Sequence, residues 1–106
     1  MQPSCARSIM PPAPLRRGVL DLLKPHDPST LEFARRIADA DGVTGVNATV
    51  IEVDAEVENV KFTVEGDAID FEAVEAAIEE LGGSLHSIDQ VACGERLVEE
   101  SETPQD

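Results

Sequence analysis

The stretch DFEAVEAAIEELGGSLHSIDQVACG, residues 70–94, decides the fold, because a helix and a strand follow each other in it with clear boundaries. Asp70 is a residue type that caps the N-terminus of a helix, and Gly82 suits the left-handed turn that ends one. The run from Ser84 onward has the pattern of a strand. The apolar residues of the helix recur at helical spacing and form one stripe: Phe71, Val74, Ala77, Ile78 and Leu81.

A β-hairpin precedes this helix. The segments Val46–Val53 and Val57–Glu65 are rich in β-branched residues, and an acidic turn around Asp54–Asn59 joins them. In the second segment side chains alternate between two faces. One face receives Val60, Phe62 and Val64, and the other receives Lys61, Thr63 and Glu65.

A strand and a helix open the pattern. The apolar run Arg16–Lys24 predicts a strand that ends at Pro25. In the helix that follows, we expect Asp27 to cap, Pro28 to take the first position and Gly42 to end the element. The predicted apolar face of this helix comprises Leu31, Ala34, Ile37 and Ala38.

The order is therefore β-α-β-β-α-β, which predicts a ferredoxin-like α+β sandwich. We expect a four-stranded antiparallel sheet with two helices on one face and with the first and third strands in its middle. Residues 16–99 form this single domain. Residues 1–15 are interpreted as a disordered extension or the product of a wrongly assigned start codon, and residues 100–106 as an acidic flexible tail.

Composition limits the partners. The net charge of −14 and the pI near 4.3 repel phosphate backbones and anionic lipids, so we expect no nucleic-acid or membrane partner. Twenty-two acidic residues against two lysines favour a halophilic protein, although an acidic mesophilic protein is the alternative. Two cysteines give no disulfide framework, no apolar run is long enough to span a bilayer, and the first residues are not expected to form a signal peptide, so we expect a cytoplasmic protein.

The bare face of the predicted sheet carries the first candidate site. Asp21 lies between apolar neighbours on a central strand, where a charge is unusual. If Ile88 faces the core, Ser87 and Asp89 join Asp21 on the open face. Two carboxylates there predict a site for Ca²⁺ or Mg²⁺. The alternative is that Asp21 pairs with Lys61 or an arginine.

The hairpin carries a second group of acidic residues. Glu52, Asp54 and Glu58 lie around its turn, with Glu65 further along, and such a group can converge on a cation. The segment is not an EF-hand, because it lacks the sharp-turn glycine and lies in a hairpin. The alternative is a solvated acidic turn.

The two histidines give weaker candidates. His26 and Asp27 lie at the start of the first helix, where an anion or a proton carrier can be placed. The alternative is that both are turn and cap residues. His86 is expected on the helix side of the last strand, near the end of the sheet. No nucleophile–base pair or other catalytic constellation emerges.

Three stretches carry a family resemblance: VLDLLKPHDP (residues 19–28), GVTGVNATVIEVDAEVENVKFTVEG (residues 42–66) and, most specifically, GGSLHSIDQVACG (residues 82–94). Over residues 16–99 the chain resembles an archaeal family of uncharacterised proteins, domain-of-unknown-function family 211. The resemblance implies a ferredoxin-like fold, homo-oligomers that form rings, and binding of divalent cations, calcium in particular. It implies no enzymatic activity. Val57 departs from the threonine that is usual in the family's hairpin turn.

These observations lead to one expected function and one alternative. We expect a non-enzymatic, homo-oligomeric protein that binds divalent cations through its acidic residues. The alternative is a regulatory domain that binds a small metabolite where subunits meet, on the bare face of the sheet. An enzyme with His26 or His86 as its base is the weakest hypothesis.

Overall fold

The computed structural model describes residues 12–100 and confirms the predicted order of elements. Its strands and helices are β1 (Leu15–Pro25), α1 (Thr30–Ala38), β2 (Val43–Val53), β3 (Val57–Gly66), α2 (Phe71–Glu80) and β4 (Ser84–Cys93). The expectations for residues 1–11 and 101–106, a loose N-terminal extension and most of the acidic tail, lie outside the described residues.

The sheet has the predicted topology, with strand order β2-β3-β1-β4 and antiparallel pairing throughout. The two central strands therefore come from distant parts of the chain. In the described part of the chain, no further strand pairs with the outer edge of β2 or of β4. The fold is the ferredoxin-like α+β arrangement.

The core forms between the helices and one face of the sheet. Alternation along β1 and β3 sends every second side chain to that face, as the sequence predicts. Each helix adds an apolar stripe. The buried cluster comprises Leu20, Leu22, Phe33, Ile37, Val60, Phe62, Val64, Ile69, Val74 and Ile78.

The second helix follows the prediction closely. The Asp70 side chain accepts a hydrogen bond from the Ala73 amide at 3.2 Å, which is the expected N-cap. Gly82 has φ +89°, the left-handed conformation that suits a residue just after a helix. Gly83 follows under the ring of Phe33, where a Cβ would stand only 2.8 Å from the ring, so this position has no room for a side chain.

The first helix differs from the prediction in its cap. The N-cap is Ser29, whose hydroxyl accepts a hydrogen bond from the Glu32 amide at 3.2 Å, so the assignment of Asp27 and Pro28 to the helix start was wrong. Gly42, with φ +85°, belongs to the turn that enters β2.

The buried stripe of α1 also differs. It is formed by Phe33 and Ile37, whereas Leu31 is 57% exposed. Two residues correspond to a rotation of roughly 200° about a helix, so Leu31 and Phe33 cannot face the same layer. Placing Leu31 in the apolar face was therefore wrong.

Candidate binding surfaces

The open face of the sheet brings three of the predicted residues together. In the register of the sheet, Asp21 of β1 lies opposite Lys61 of β3 on one side and opposite Ser87 of β4 on the other. The Ser87 hydroxyl donates a hydrogen bond to Oδ1 of Asp89 at 2.9 Å. We call Asp21, Ser87 and Asp89 the open-face group.

Asp21 is half-buried, and its hydrogen-bond partner is Asn59. The Asn59 side-chain amide donates to Oδ1 of Asp21 and also to the carbonyl of Leu22 at 3.1 Å. The side chain of Asp21 is therefore hydrogen-bonded to a neutral amide. The alternative interpretation had named the ammonium of Lys61 as its partner.

The second histidine lies apart from this group. His86 falls at a register shift in the pairing of β4 with β1, between the pairs of Asp21 and Leu22, and it is exposed. A second shift occurs near Asp89. Such irregularities are common on edge strands, where an extra residue increases the local twist.

The hairpin acids do not converge. Glu65 accepts a hydrogen bond from Nε of Arg17 at 2.7 Å, and Glu52 is exposed on β2. The Asp54 amide closes the turn by donating to the Val57 carbonyl at 2.8 Å. Over residues 12–100, no group of three or more His, Cys, Asp or Glu side chains is placed to hold a metal ion.

Glu58 takes part in a different cluster, which sequence reasoning did not foresee. The Lys24 side chain is 0% exposed, and its Nζ donates to Oε1 of Glu58 at 3.1 Å and to the Pro25 carbonyl at 2.7 Å. The same ammonium lies 5.2 Å from the centroid of the Phe33 ring, a cation–π distance. The alternation of Leu20, Leu22 and Lys24 was the available signal, because it turns this lysine inward, where a charge needs a partner.

His26 completes the cluster. Its Nδ1 lies 2.8 Å from Oε2 of Glu58, and its Nε2 lies 2.9 Å from the Ala55 carbonyl. Both of these neighbours only accept hydrogen bonds, so the doubly protonated imidazolium satisfies both contacts. The cluster of Lys24, His26 and Glu58 is called the latch below.

The charges of the latch support one another. The carboxylate of Glu58, and then the Ala55 carbonyl, raise the pKa of His26 above its ordinary 6.5. In return His26, and then Lys24, lower the pKa of Glu58 below its ordinary 4.5. Both oxygens of Glu58 thus accept hydrogen bonds from cationic groups, which leaves this residue poorly suited to hold a metal ion.

Exposed apolar side chains concentrate at the two edges of the sheet. Val50 and Val53 pair with Val60 and Glu58 and so lie on the helix side, yet Val50 is 46% exposed because the hairpin extends beyond α1. Together with two neighbours they form a surface that we call the hairpin tip. Its members are Val50, Ile51, Val53 and Val57.

The opposite edge of the sheet, formed by β4, also carries exposed apolar side chains. Ile88 pairs with Leu20, and Val91 pairs with Gly18, so both lie on the helix side of β4. Ile88 is nevertheless 48% exposed. We call Ile88 and Val91 the β4 ledge. Sequence reasoning had expected copies to meet on the open face, whereas Val50, Val53, Ile88 and Val91 lie at the edges of the helix side.

The α+β layers and the strand order define a ferredoxin-like domain, and in residues 12–100 no helix has the length and apolar character to cross a membrane. The chain belongs to family DUF211, described as "Uncharacterized ArCR", whose profile matches residues 16–106. It is similar to the "Uncharacterized protein MJ0319" of the archaeon Methanocaldococcus jannaschii, with 49% identity over 92 residues, covering 87% of this chain and 95% of the relative. This confirms the family that the sequence resembles.

Proposed function

We propose that this protein is a non-enzymatic, homo-oligomeric binding protein whose copies meet through the hairpin tip and the β4 ledge. Its main support is the placement of apolar side chains at both free edges of the sheet. In a chain of net charge −14, apolar side chains gathered at a strand edge are unusual, and such patches are typical of interaction sites.

The two surfaces differ from each other and lie on opposite edges of one sheet. A contact between the hairpin tip of one copy and the β4 ledge of the next is therefore heterologous. Heterologous contacts that repeat with a closing rotation produce rings. A ring is accordingly the assembly that we propose.

Divalent cations are the ligand that we propose for the open-face group. Asp21 and Asp89 supply carboxylate oxygens, and Ser87 adds a hydroxyl oxygen. Calcium takes six to eight oxygen ligands, so about half of the shell would come from water or from a second copy. Screening of the strong negative charge by Ca²⁺ or Mg²⁺, or by a salt-rich cytoplasm, would favour association.

Molar mass in solution tests the contact surfaces. We expect the wild-type chain to exceed the monomer mass by light scattering on a sizing column in molar KCl. Val50→Asp with Val53→Asp, or Ile88→Asp with Val91→Asp, should reduce the mass to that of a monomer, because each change places two charges in an apolar contact. Leu31→Asp is the matched control, since Leu31 is exposed to a similar degree but lies on α1.

The same column tests the ligand. Calcium should raise the mass or the melting temperature over a chelator control, and Asp89→Asn should remove that response while Glu52→Gln, an exposed acid outside the group, should keep it. A wild-type chain that remains monomeric at every concentration would refute the assembly. Indifference to calcium and magnesium would refute the cation site and favour the metabolite alternative.

A further inference from the structure

The turn of the β2–β3 hairpin is held by residues from outside the hairpin. His26, in the segment between β1 and α1, contacts the Ala55 carbonyl in the turn and the Glu58 carboxylate at the start of β3. Lys24 holds the other oxygen of Glu58 from β1. The apolar hairpin tip flanks this turn on both strands, since Val53 precedes it and Val57 follows it.

We propose that the latch is a pH-dependent device that fixes the hairpin tip and thereby regulates assembly. The regulatory part rests on the proposed function, because it requires that the hairpin tip be a contact between copies. The latch itself requires only the geometry of His26. Neutral imidazole has one N–H, so loss of a proton leaves His26 facing two acceptors with a single donor.

The hydrogen-bond acceptors around His26 favour its protonated form. Glu58 faces the ring from β3, the backbone of Asp54 and Ala55 faces it from the turn, and Asp27 follows it in the chain. Lys24 lies behind Glu58 and keeps that carboxylate ionised, so that the acceptor persists when His26 titrates.

The shifted pKa values set a pH window. The pKa of His26 is raised in the folded state, so its contribution is complete below its ordinary 6.5 and is lost as pH rises through the folded value. The pKa of Glu58 is lowered, so its contribution is complete above its ordinary 4.5 and is lost as pH falls through the folded value. The latch is therefore closed between the folded-state pKa of Glu58 and the folded-state pKa of His26, and it opens on either side.

A closed latch should favour association, because a fixed hairpin tip loses less conformational entropy when a second copy binds it. Above the pKa of His26 the hairpin tip should move more freely. The oligomer should then dissociate at higher protein concentrations than it does at lower pH. We expect the midpoint concentration for dissociation to rise as His26 loses its proton.

The experiment separates the latch from assembly with two readouts between pH 5 and 9. Proton NMR of the full chain follows both histidine rings, and amide hydrogen exchange follows residues 54–58. Light scattering of the same samples follows mass. His26→Gln removes the second donor, His26→Arg keeps a permanent cation with several donors, and His86→Gln is the control because His86 is the chain's other histidine.

We expect the His26 pKa to lie above 6.5, the protection of the turn amides relative to their intrinsic exchange rate at each pH to fall as His26 deprotonates, and the mass to fall in parallel. At every pH, His26→Gln should behave as the wild type does at high pH. His26→Arg should hold the closed behaviour to pH 9, and His86→Gln should follow the wild type.

Three results contradict parts of this scheme separately. An ordinary His26 pKa, or turn exchange that ignores His26→Gln, refutes the latch. An oligomer whose mass is constant while the latch titrates refutes the regulation. A monomer at all pH values, with a latch that titrates as expected, refutes the assembly and its regulation but leaves the latch standing.

Discussion

Two cross-strand pairs show how the centre of the sheet differs from its edges. Val60 and Val50 face each other across β3 and β2, yet Val60 is fully buried and Val50 is nearly half-exposed. Leu20 and Ile88 face each other across β1 and β4 with the same contrast. At these two positions the central partner is part of the core, whereas the edge partner is exposed enough to contact another molecule.

The pair Leu20 and Ile88 gives the largest expected effect. Leu20→Ala should lower the free energy of unfolding by about 2–5 kcal/mol, because it leaves a cavity beneath both helices. Ile88→Ala should cost under about 1 kcal/mol in a monomeric sample, since its side chain is already half in water. Denaturant titration at low protein concentration measures both free energies of unfolding. Comparable losses for the two variants would mean that Ile88 is packed into the core as tightly as Leu20.

A second contrast concerns two glycines. Gly83→Ala should cost about 1–3 kcal/mol, because the new Cβ would stand 2.8 Å from Phe33 in a packed layer. Gly45→Ala on β2 should be neutral or mildly stabilising, since a Cβ there meets nothing within 4 Å. Thermal unfolding of the two variants makes the comparison. Equal melting temperatures would show that the Phe33 ring moves aside without a loss of stability.

The sequence could predict the features that depend on local pattern, and it could not predict those that depend on distant contacts. Element order, strand order and the buried stripe of β3 follow from local periodicity and from the handedness of β-α-β connections. The Asp70 cap follows from residue type. These features depend on neighbours in the chain or on one rule of topology, and the structure confirms them.

Features that depend on distant contacts were not predictable. How far each helix reaches over the sheet decides whether Val50 and Ile88 are covered, and no periodicity encodes that length. In the latch, Lys24 lies opposite Glu58 in the register of β1 and β3, and His26 follows just beyond the end of β1. Glu58 was therefore grouped with the hairpin acids, whereas its partners are Lys24 and His26.

The start of α1 was predicted wrongly because two candidate caps stand close together. Asp27 precedes Pro28, which favours the first position of a helix, and the prediction rested on this pattern. In the structure the Ser29 hydroxyl makes the capping bond, and the helix then presents Phe33 and Ile37 to the core.

Substitution at these two positions gives the smallest effect that we predict. Ser29→Ala should lower the free energy of unfolding by about 1 kcal/mol, because it leaves the Glu32 amide without its acceptor. Asp27→Ala should stay within about 0.5 kcal/mol of the wild type, since Asp27 is exposed and outside the helix. Urea titration at pH 6 measures both while the latch is closed. A larger loss for Asp27→Ala than for Ser29→Ala would mean that Asp27, and not Ser29, caps α1.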